Sequence, residues 1–424
     1  MSHAPKKKIA IIGAGWYGAH TARVLNKAGF NVTLLEAAEP FRHLSGMFGI
    51  RDHGGAHYPR SPKTRESCRK GAETFAALYP ELIQPVQYAI YSLGTYDVDG
   101  KPSKVTAAEF KAVCKESGAR REIVPSLWGY DNLICAFDMD EPCLVVGDRL
   151  RLAFKQYFQA ENIAIKAHYP VKKIEKRAGK IWINAELEFD AVINATSFQD
   201  FLPTEPLPFG IDIKYQPCLA LVYEDKAAST QPFSFIVMDG WFPCLMPYVE
   251  QVSAEYKKYI MTHGKWTIMG SYNTAQEARA IFGQIDEKFI IDKVKPLCET
   301  DMKRFWPKFS ERFTYKGWLG NIVAKIKSNR EFRSAVTFAH AGIIHIIPGK
   351  VTNVDDAARE VLALLNAENI LQVNNYTYVK GGILDQSKTE ITEKPVDVRN
   401  TCELQTYEEL KKFETIDGMN WLYK

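Results

Sequence analysis

The chain has no run approaching the ~18 to 20 apolar residues that a membrane-spanning helix needs. It also has no CxxC pair, no internal repeat and no low-complexity tract. Charge of one sign is scarce as well: 54 Lys+Arg against 50 Asp+Glu leaves +4 over 424 residues. So weak and evenly mixed a balance announces neither nucleic acid nor an anionic membrane. The eight cysteines (Cys68, Cys114, Cys135, Cys143, Cys218, Cys244, Cys298, Cys402) show no metal-like spacing with the nine histidines. They read as reduced, mostly buried thiols of a cytoplasmic protein, and no metal site is expected. With 46% hydrophobic and 25% charged residues the chain is globular, not fibrous or disordered, and its length suits roughly two or three domains.

What is present begins at residue 7. The N-terminus superficially resembles a signal peptide, with three lysines, a short apolar run and small residues, but that run spans only Ile9 to Ile12 before glycines begin. Residues 7–36 instead predict a strand, a glycine turn, an amphipathic helix with Ala22, Val24, Leu25 and Ala28, and a second strand from Val32 to Leu35. A loop rich in Gly, His and Arg follows over 40–65, then helical periodicity over 66–80 and strands around 86–98. Residues 147–167 predict a helix and a strand, 174–190 a hairpin turning near Gly179, and the run from Phe189 to Ser197 an apolar strand ending in small residues. From 210 to 325 short aromatic and β-branched runs predict an antiparallel sheet with one helix near 287–306. Residues 342–366 return to strand, glycine turn and helix, and the polar tail holds Gly381-Gly382 and a short helix near 406–414.

This order predicts an α/β fold: an interrupted Rossmann-like dinucleotide-binding domain with a mostly parallel sheet, carrying an inserted antiparallel β-rich substrate domain. The expected boundaries are 7–84, 145–205 and 335–370 for the first domain, 85–144 and 206–334 for the second, and 371–424 for a C-terminal extension.

Gly13, Gly15 and Gly18 form GxGxxG directly after a strand and at a helix start, and Glu36 ends the following strand. The first glycine permits the tight turn, the second lets backbone approach a pyrophosphate, and the third allows close helix–strand packing. The helix N-terminus offers N–H groups and partial positive charge to phosphates, and Glu36 can accept hydrogen bonds from ribose hydroxyls. The competing reading is a structural glycine turn without ligand.

Four separated segments together resemble the FAD-dependent oxidoreductases of the two-dinucleotide-fold, D-amino-acid-oxidase-like superfamily, which includes glycine oxidase, sarcosine oxidase and glycerol-3-phosphate dehydrogenase. They are the fingerprint at 9–36, RHLSGMFGIRDHGGAHYPRS at 42–61, FDAVINATS at 189–197 and HIIPGKVTN at 345–353. The resemblance implies FAD as cofactor. The implied cofactor-binding residues are Gly13, Ala14, Gly15, Trp16, Tyr17, Gly18, Glu36, Arg42, Ser45, Gly46, His57, Val171, Ala195, Thr196, Gly349, Lys350, Val351, Thr352 and Asn353. Within this set Val171 matches the position whose backbone contacts adenine, and the helix opened by 349–353 points at the flavin's pyrimidine edge. The family's usual glycine after Thr196 is Ser197 here. The resemblance leaves room for a covalent histidyl-flavin bond, and nothing in the sequence demands it.

For the chemistry, the loop from His53 to Arg60 is the most unusual stretch, and His57, Tyr58 and Arg60 are its candidates for hydrogen bonds or charge at the flavin. It is also similar to a segment near the isoalloxazine of UDP-galactopyranose mutase. The competing reading makes His57 and Tyr58 core residues and Arg60 a surface cation. Arg333, with Arg330 in reserve, is the candidate anchor for a substrate carboxylate, as in amino-acid-oxidising relatives. The aromatics Tyr215, Tyr223, Trp241 and Tyr248 either roof the flavin or belong to the core. The basic run Arg60, Lys63, Arg65, Arg69, Lys70 reads as a solvated helix face.

The expected function is FAD-dependent hydride removal from a small amine, amino acid or hydroxy acid, with oxygen or another acceptor reoxidising the flavin. A single dinucleotide fingerprint argues against reductases with two nucleotide modules. The alternatives are a flavin-dependent mutase, a single-component FAD monooxygenase and a non-enzymatic relative of the Rab-escort type.

Overall fold

The computed structural model describes residues 6–48, 50–251, 255–327, 333–367, 370–374, 376–379 and 404–412. Two sheets organise them. The first has six strands in the spatial order Val336–His340, Ile343–Ile347, Ala191–Asn194, Lys8–Ile12, Asn31–Leu35 and Ala164–Lys166. All its pairs are parallel except the hairpin of the first two. Lys8–Ile12 is central, and Ile9, Ala10, Ile11 and Ile12 are all buried, so the strand reads as a continuous apolar run with no alternation. The helix Trp16–Lys27 lies against this sheet and against the helix Val354–Leu364, burying Ala19, Ala22, Val24 and Leu25. The chain runs from the central strand to Asn31–Leu35 on one side, and Ala191–Asn194 fills the other. The crevice at their carboxyl ends is the switch point where open α/β sheets bind ligands.

The second sheet has eight strands in the order Phe313–Ile326, Ile213–Ser229, Tyr256–His263, Pro243–Pro247, Ser234–Met238, Ala89–Gly94, Leu133–Met139 and Ala119–Ile123. The expected antiparallel sheet is corrected here to a mixed one, because Ala89–Gly94 and Ser234–Met238 pair in parallel. Parallel partners need a long crossover, and the chain between these two makes several strands of both sheets before returning.

The helix predicted over 287–306 is present, but a π-turn at Ile290–Val294 separates Glu287–Phe289 from Lys295–Phe305. Pro296, without an N–H, follows that turn. The predicted hairpin pairs Ile174–Arg177 with Lys180–Ile183 through Ala178 and Gly179, both at positive φ (48° and 79°), as a tight two-residue turn demands. Two described helices of eight residues or more were not anticipated, Ala107–Glu116 and Ala275–Phe282. The short helix expected over 406–414 occupies Thr406–Lys412, with Tyr407 tilted on Phe289. Gly381-Gly382, Arg330 and Cys402 lie outside the described residues. No described helix is long and apolar enough to cross a membrane.

Candidate functional site

A cleft of about 700 Å³ opens at the carboxyl ends of the central parallel strands. Gly13, Gly15, Glu36, Arg42, Ser45, Val171, Ala195 and Thr196, expected from the sequence, all line it. The three glycines serve three different needs. Gly13 sits at φ 101°, and a Cβ there would also lie 2.6 Å from the Ala195 carbonyl oxygen. A Cβ on Gly18 would lie 1.9 Å from the Gly13 carbonyl oxygen, so the helix and the turn touch backbone to backbone. Gly15 has ordinary extended backbone (φ −82°), and a Cβ on it would fill the gap to Ser45 Oγ, 2.7 Å away.

Several features of this cleft fit a dinucleotide. The helix Trp16–Lys27 begins without a side-chain cap and without an acidic residue in its first turn, which leaves its positive end for a phosphate. Ser45 Oγ accepts the Trp16 N–H at 3.0 Å and fixes the lip of the cleft to the helix. The Glu36 carboxylate is held in place by the Ala14 N–H (2.7 Å) and the Ala38 N–H (3.0 Å), with lone pairs left for hydroxyls. Ser197 takes the left-handed conformation (φ 55°) that a glycine would favour, so the departure from the family's glycine keeps the turn. Asn194 braces that turn, accepting from Thr196 N (3.1 Å) and donating to the Asp200 carbonyl (2.7 Å).

The remaining expected cofactor residues are placed differently. Trp16 points away into the core, edge-on to Phe41, Phe75, Tyr79 and Phe154, so it contributes only backbone at the cleft. Tyr17 ties the fingerprint helix to the late turn: its Oη accepts the Gly349 N–H (2.9 Å) and donates to the Lys350 carbonyl (2.6 Å). Gly46 is buried against the Phe41 carbonyl, and its own carbonyl accepts from Tyr248 Oη at 3.0 Å. Val351–Asn353 form a 3₁₀ turn. Thr352 and Asn353 are buried beside Gly71 of the helix Pro62–Leu78, and Asn353 Nδ2 reaches Ser67 Oγ and Asp356 Oδ2, so these side chains brace two helices together.

Beyond the cleft, the loop after residue 50 builds a second, more charged group. An antiparallel bridge sets Arg51 opposite Cys143, with Leu144 N–H to the Ile50 carbonyl (2.9 Å) and Asp52 N–H to the Pro142 carbonyl (3.2 Å). This brings Arg51, Asp52 and His53 beside Glu141. Tyr91 Oη donates to Glu141 Oε1 (2.6 Å), and Arg51 Nη1 donates to Tyr91 Oη (3.2 Å) and approaches His57 Nδ1 (3.4 Å). A guanidinium only donates, so His57 Nδ1 accepts and the ring proton sits on Nε2. His53 stands 3.8 Å from Glu141 and 5.3 Å, ring to ring, from His57. Lys350 Nζ lies 4.0 Å from the centre of the Tyr58 ring.

Burial governs the charges of this group. It pushes His53 far below the usual imidazole range, helped by Lys350, Arg51 and His57, and does the same to His57, helped by Arg51, Lys350 and Arg333. Both rings are therefore neutral at physiological pH. Burial raises the Glu141 carboxyl against the pull of Arg51 and the Tyr91 hydrogen bond, and raises the Tyr91 phenol well above its ordinary value.

His57 and Tyr58 thus stand in the charged group, and Arg333 lies close enough for its charge to act on His57. The Arg333 carbonyl also accepts the Lys350 N–H at 2.9 Å. Arg60 is placed elsewhere, in an ion pair with Asp239 at 2.8 Å. Of the aromatic candidates, Tyr248 touches the site through Gly46, whereas Tyr223 is buried in the second core and hydrogen-bonds Glu299. Arg69 and Lys70 pair with Glu66 on the exposed face of their helix. Sequence reasoning missed Arg51, Asp52, Tyr91 and Glu141, and also Arg279, which reaches the cleft wall and pairs with Asp200 at 2.8 Å. Only the tertiary fold joins these segments.

Comparison with known proteins agrees with this geometry. A family profile described as DAO, FAD dependent oxidoreductase, matches residues 8–320. The chain is 42% identical over 421 residues to the FAD-dependent monooxygenase kojA of Aspergillus flavus, covering 96% of this chain and 98% of that protein. It is 29% identical over 371 residues to the FAD-dependent monooxygenase FPY4 of Fusarium mangiferae, covering 85% and 92%. Among solved structures it is similar to the FAD-bound L-α-glycerophosphate oxidase of Mycoplasma pneumoniae, with TM-score 0.63, 13% identity and coverage of 90% and 100%. The amino acid oxidase NikD gives TM-score 0.61, 13% identity and coverage of 84% and 94%. At such identities these two likenesses concern the fold.

Proposed function

Since the chain belongs to the FAD dependent oxidoreductase family, we propose that it takes a hydride directly from a small polar metabolite, an amine, amino acid or hydroxy acid, bound beside the charged group of Arg51, His57 and Lys350. The supporting observation is that the Tyr17 hydroxyl ties the fingerprint helix at the dinucleotide cleft to Gly349 and Lys350, the latter a member of the buried polar group. Bound FAD supplies the two-electron acceptor. Glu36 would hold the ribose, the Trp16–Lys27 N-terminus and Arg42 the phosphates, Val171 the adenine side, and the turn from Gly349 the ring end. Neutral His57, with its proton on Nε2, can donate a hydrogen bond to substrate, and Arg51 and Lys350 favour negative charge developing nearby. Orientation by such fixed groups supplies much of the rate.

The domain division at 7–84, 145–205 and 335–370 against 85–144 and 206–334 is part of the same proposal, supported by the two sheets drawing their strands from those segments. We also propose a cytoplasmic location, on the strength of the unpaired cysteines.

A second reading, single-component monooxygenation, is favoured by the names of the two fungal relatives. The two readings separate in one anaerobic experiment on the purified yellow protein. Direct oxidation expects bleaching by a member of a panel of amines, amino acids and hydroxy acids without nicotinamide. Bleaching by NADPH alone would support the monooxygenase and overturn the first reading.

A further inference from the structure

Three atoms of the charged group are buried without a hydrogen-bond partner: Lys350 Nζ, His53 Nδ1 and Asp52 Oδ1. The other members satisfy one another through the Arg51–Tyr91–Glu141 chain. Asp52 is the most telling of the three. It is 6% exposed, and its backbone N–H is tied by the ladder to the Pro142 carbonyl. A buried acceptor left unpaired is costly, and a ligand hydroxyl would supply the missing partner.

The groups that act on Asp52 are few. Glu141 acts from across the ladder and Lys350 from the late turn, while Arg51 and His53 flank it in sequence. Burial, reinforced by Glu141 and opposed by Lys350, lifts its carboxyl to about 7. The imidazoles of His53 and His57 are too weakly basic to compete, and Glu141 is engaged by Tyr91.

The chemistry of the hydride donor then matters. A neutral amine expels hydride with the push of its nitrogen lone pair and needs no base. A carbon bearing a hydroxyl must release the O–H proton as the hydride leaves, and a base with proton affinity near the working pH serves best.

We propose that Asp52 is the catalytic base for oxidation of a hydroxyl-bearing carbon. The O–H proton passes to Asp52 Oδ1, the C–H hydride with its electron pair passes to oxidised FAD, and the carbon–oxygen double bond forms. The products are a carbonyl compound, reduced flavin and a protonated Asp52. This rests on the direct-oxidation reading above and narrows its substrate to an alcohol or hydroxy acid.

The test uses wild-type, Asp52→Asn and Asp52→Glu holoproteins of matched flavin content. Without any substrate, infrared difference spectra should show a carboxylic acid carbonyl band that titrates near neutral pH and vanishes in Asp52→Asn. With glycolate, L-lactate and glycerol as hydroxyl probes, and glycine, sarcosine and benzylamine as amine probes, anaerobic bleaching should occur with a hydroxyl probe and accelerate as pH rises through neutrality. Asp52→Asn should slow it about 10²-fold or more and remove the pH dependence, and Asp52→Glu should restore part of both. Bleaching by amines alone overturns the proposal and leaves the direct-oxidation reading standing. Failure of every probe on the wild type overturns both. An Asp52→Asn protein bleached at the wild-type rate, or an infrared band unchanged by the substitution, refutes the role of Asp52.

Discussion

Replacing Gly18 with alanine sets one methyl group against a backbone carbonyl, and the outcome can be worked from distances. The new Cβ would lie 1.9 Å from the Gly13 oxygen, 3.0 Å from its carbon and 3.3 Å from Ala195 Cβ. No side-chain rotation relieves such a contact, so the helix Trp16–Lys27 must lift from the strand turn that it abuts. Overpacking of this kind costs typically about 1–3 kcal/mol, and more when backbone is the obstacle. Gly15→Ala is the control in the same turn. Its Cβ meets Ser45 alone, Oγ at 2.7 Å and Cβ at an ordinary 3.5 Å, and the hydroxyl can rotate away by giving up the Trp16 N–H, a loss of about 1 kcal/mol. Thermal unfolding of the apoproteins and FAD titration by flavin fluorescence should therefore split the pair. Gly18→Ala should show a drop of several degrees in Tm with little retained flavin. Gly15→Ala should melt near wild type and bind FAD more weakly, because the filled gap lies on the pyrophosphate path. A Gly18→Ala protein as stable and as yellow as the wild type would refute the backbone-contact argument.

Tyr17→Phe removes both hydrogen bonds to the late turn and should cost about 1–3 kcal/mol with weakened FAD retention, measured by denaturant unfolding and flavin release. Arg60→Ala breaks a partly exposed pair with Asp239, so a small stability loss of about 1 kcal/mol and unchanged flavin content are expected from the same two assays. Asp52, lifted from 3.8 to about 7, gives a pH signature of definite sign. Between those values the folded chain holds a proton that the unfolded chain has lost, so stability is full below pH 4 and declines as pH rises toward 7. At about 1.36 kcal/mol per pH unit the decline from this group reaches roughly 4 kcal/mol, and urea unfolding of Asp52→Asn should show a flatter profile over that window.

Much of the architecture could be read directly from residues. The fingerprint strand, turn and helix, the apolar run into Asn194, and the strand–turn–helix after Ile343 each carry local signals of periodicity and glycine placement, and each stands where expected. The two unanticipated helices were legible too: Thr106 with Glu109 and Thr274 with Glu277 form capping boxes, a spacing visible in the sequence. The hairpin strand Val336–His340 is different, for nothing local distinguishes its apolar run from a loop leading to the next strand. The charged group was half legible. His57, Tyr58 and Lys350 fall in conspicuous segments, whereas Glu141 is brought to them by the bridge between Arg51 and Cys143, and Tyr91 comes from the second sheet. Arg60, adjacent to the conspicuous loop, turns instead toward Asp239, a partner no spacing could indicate.

The central claim, that substrate carbon delivers hydride directly to the bound flavin, is tested most directly by stopped-flow bleaching with the probe that reduces the wild-type protein, prepared with deuterium at the oxidised carbon. The account predicts bleaching without any nicotinamide and a primary isotope effect on its rate. Bleaching that requires NADPH and ignores the deuterium would contradict it.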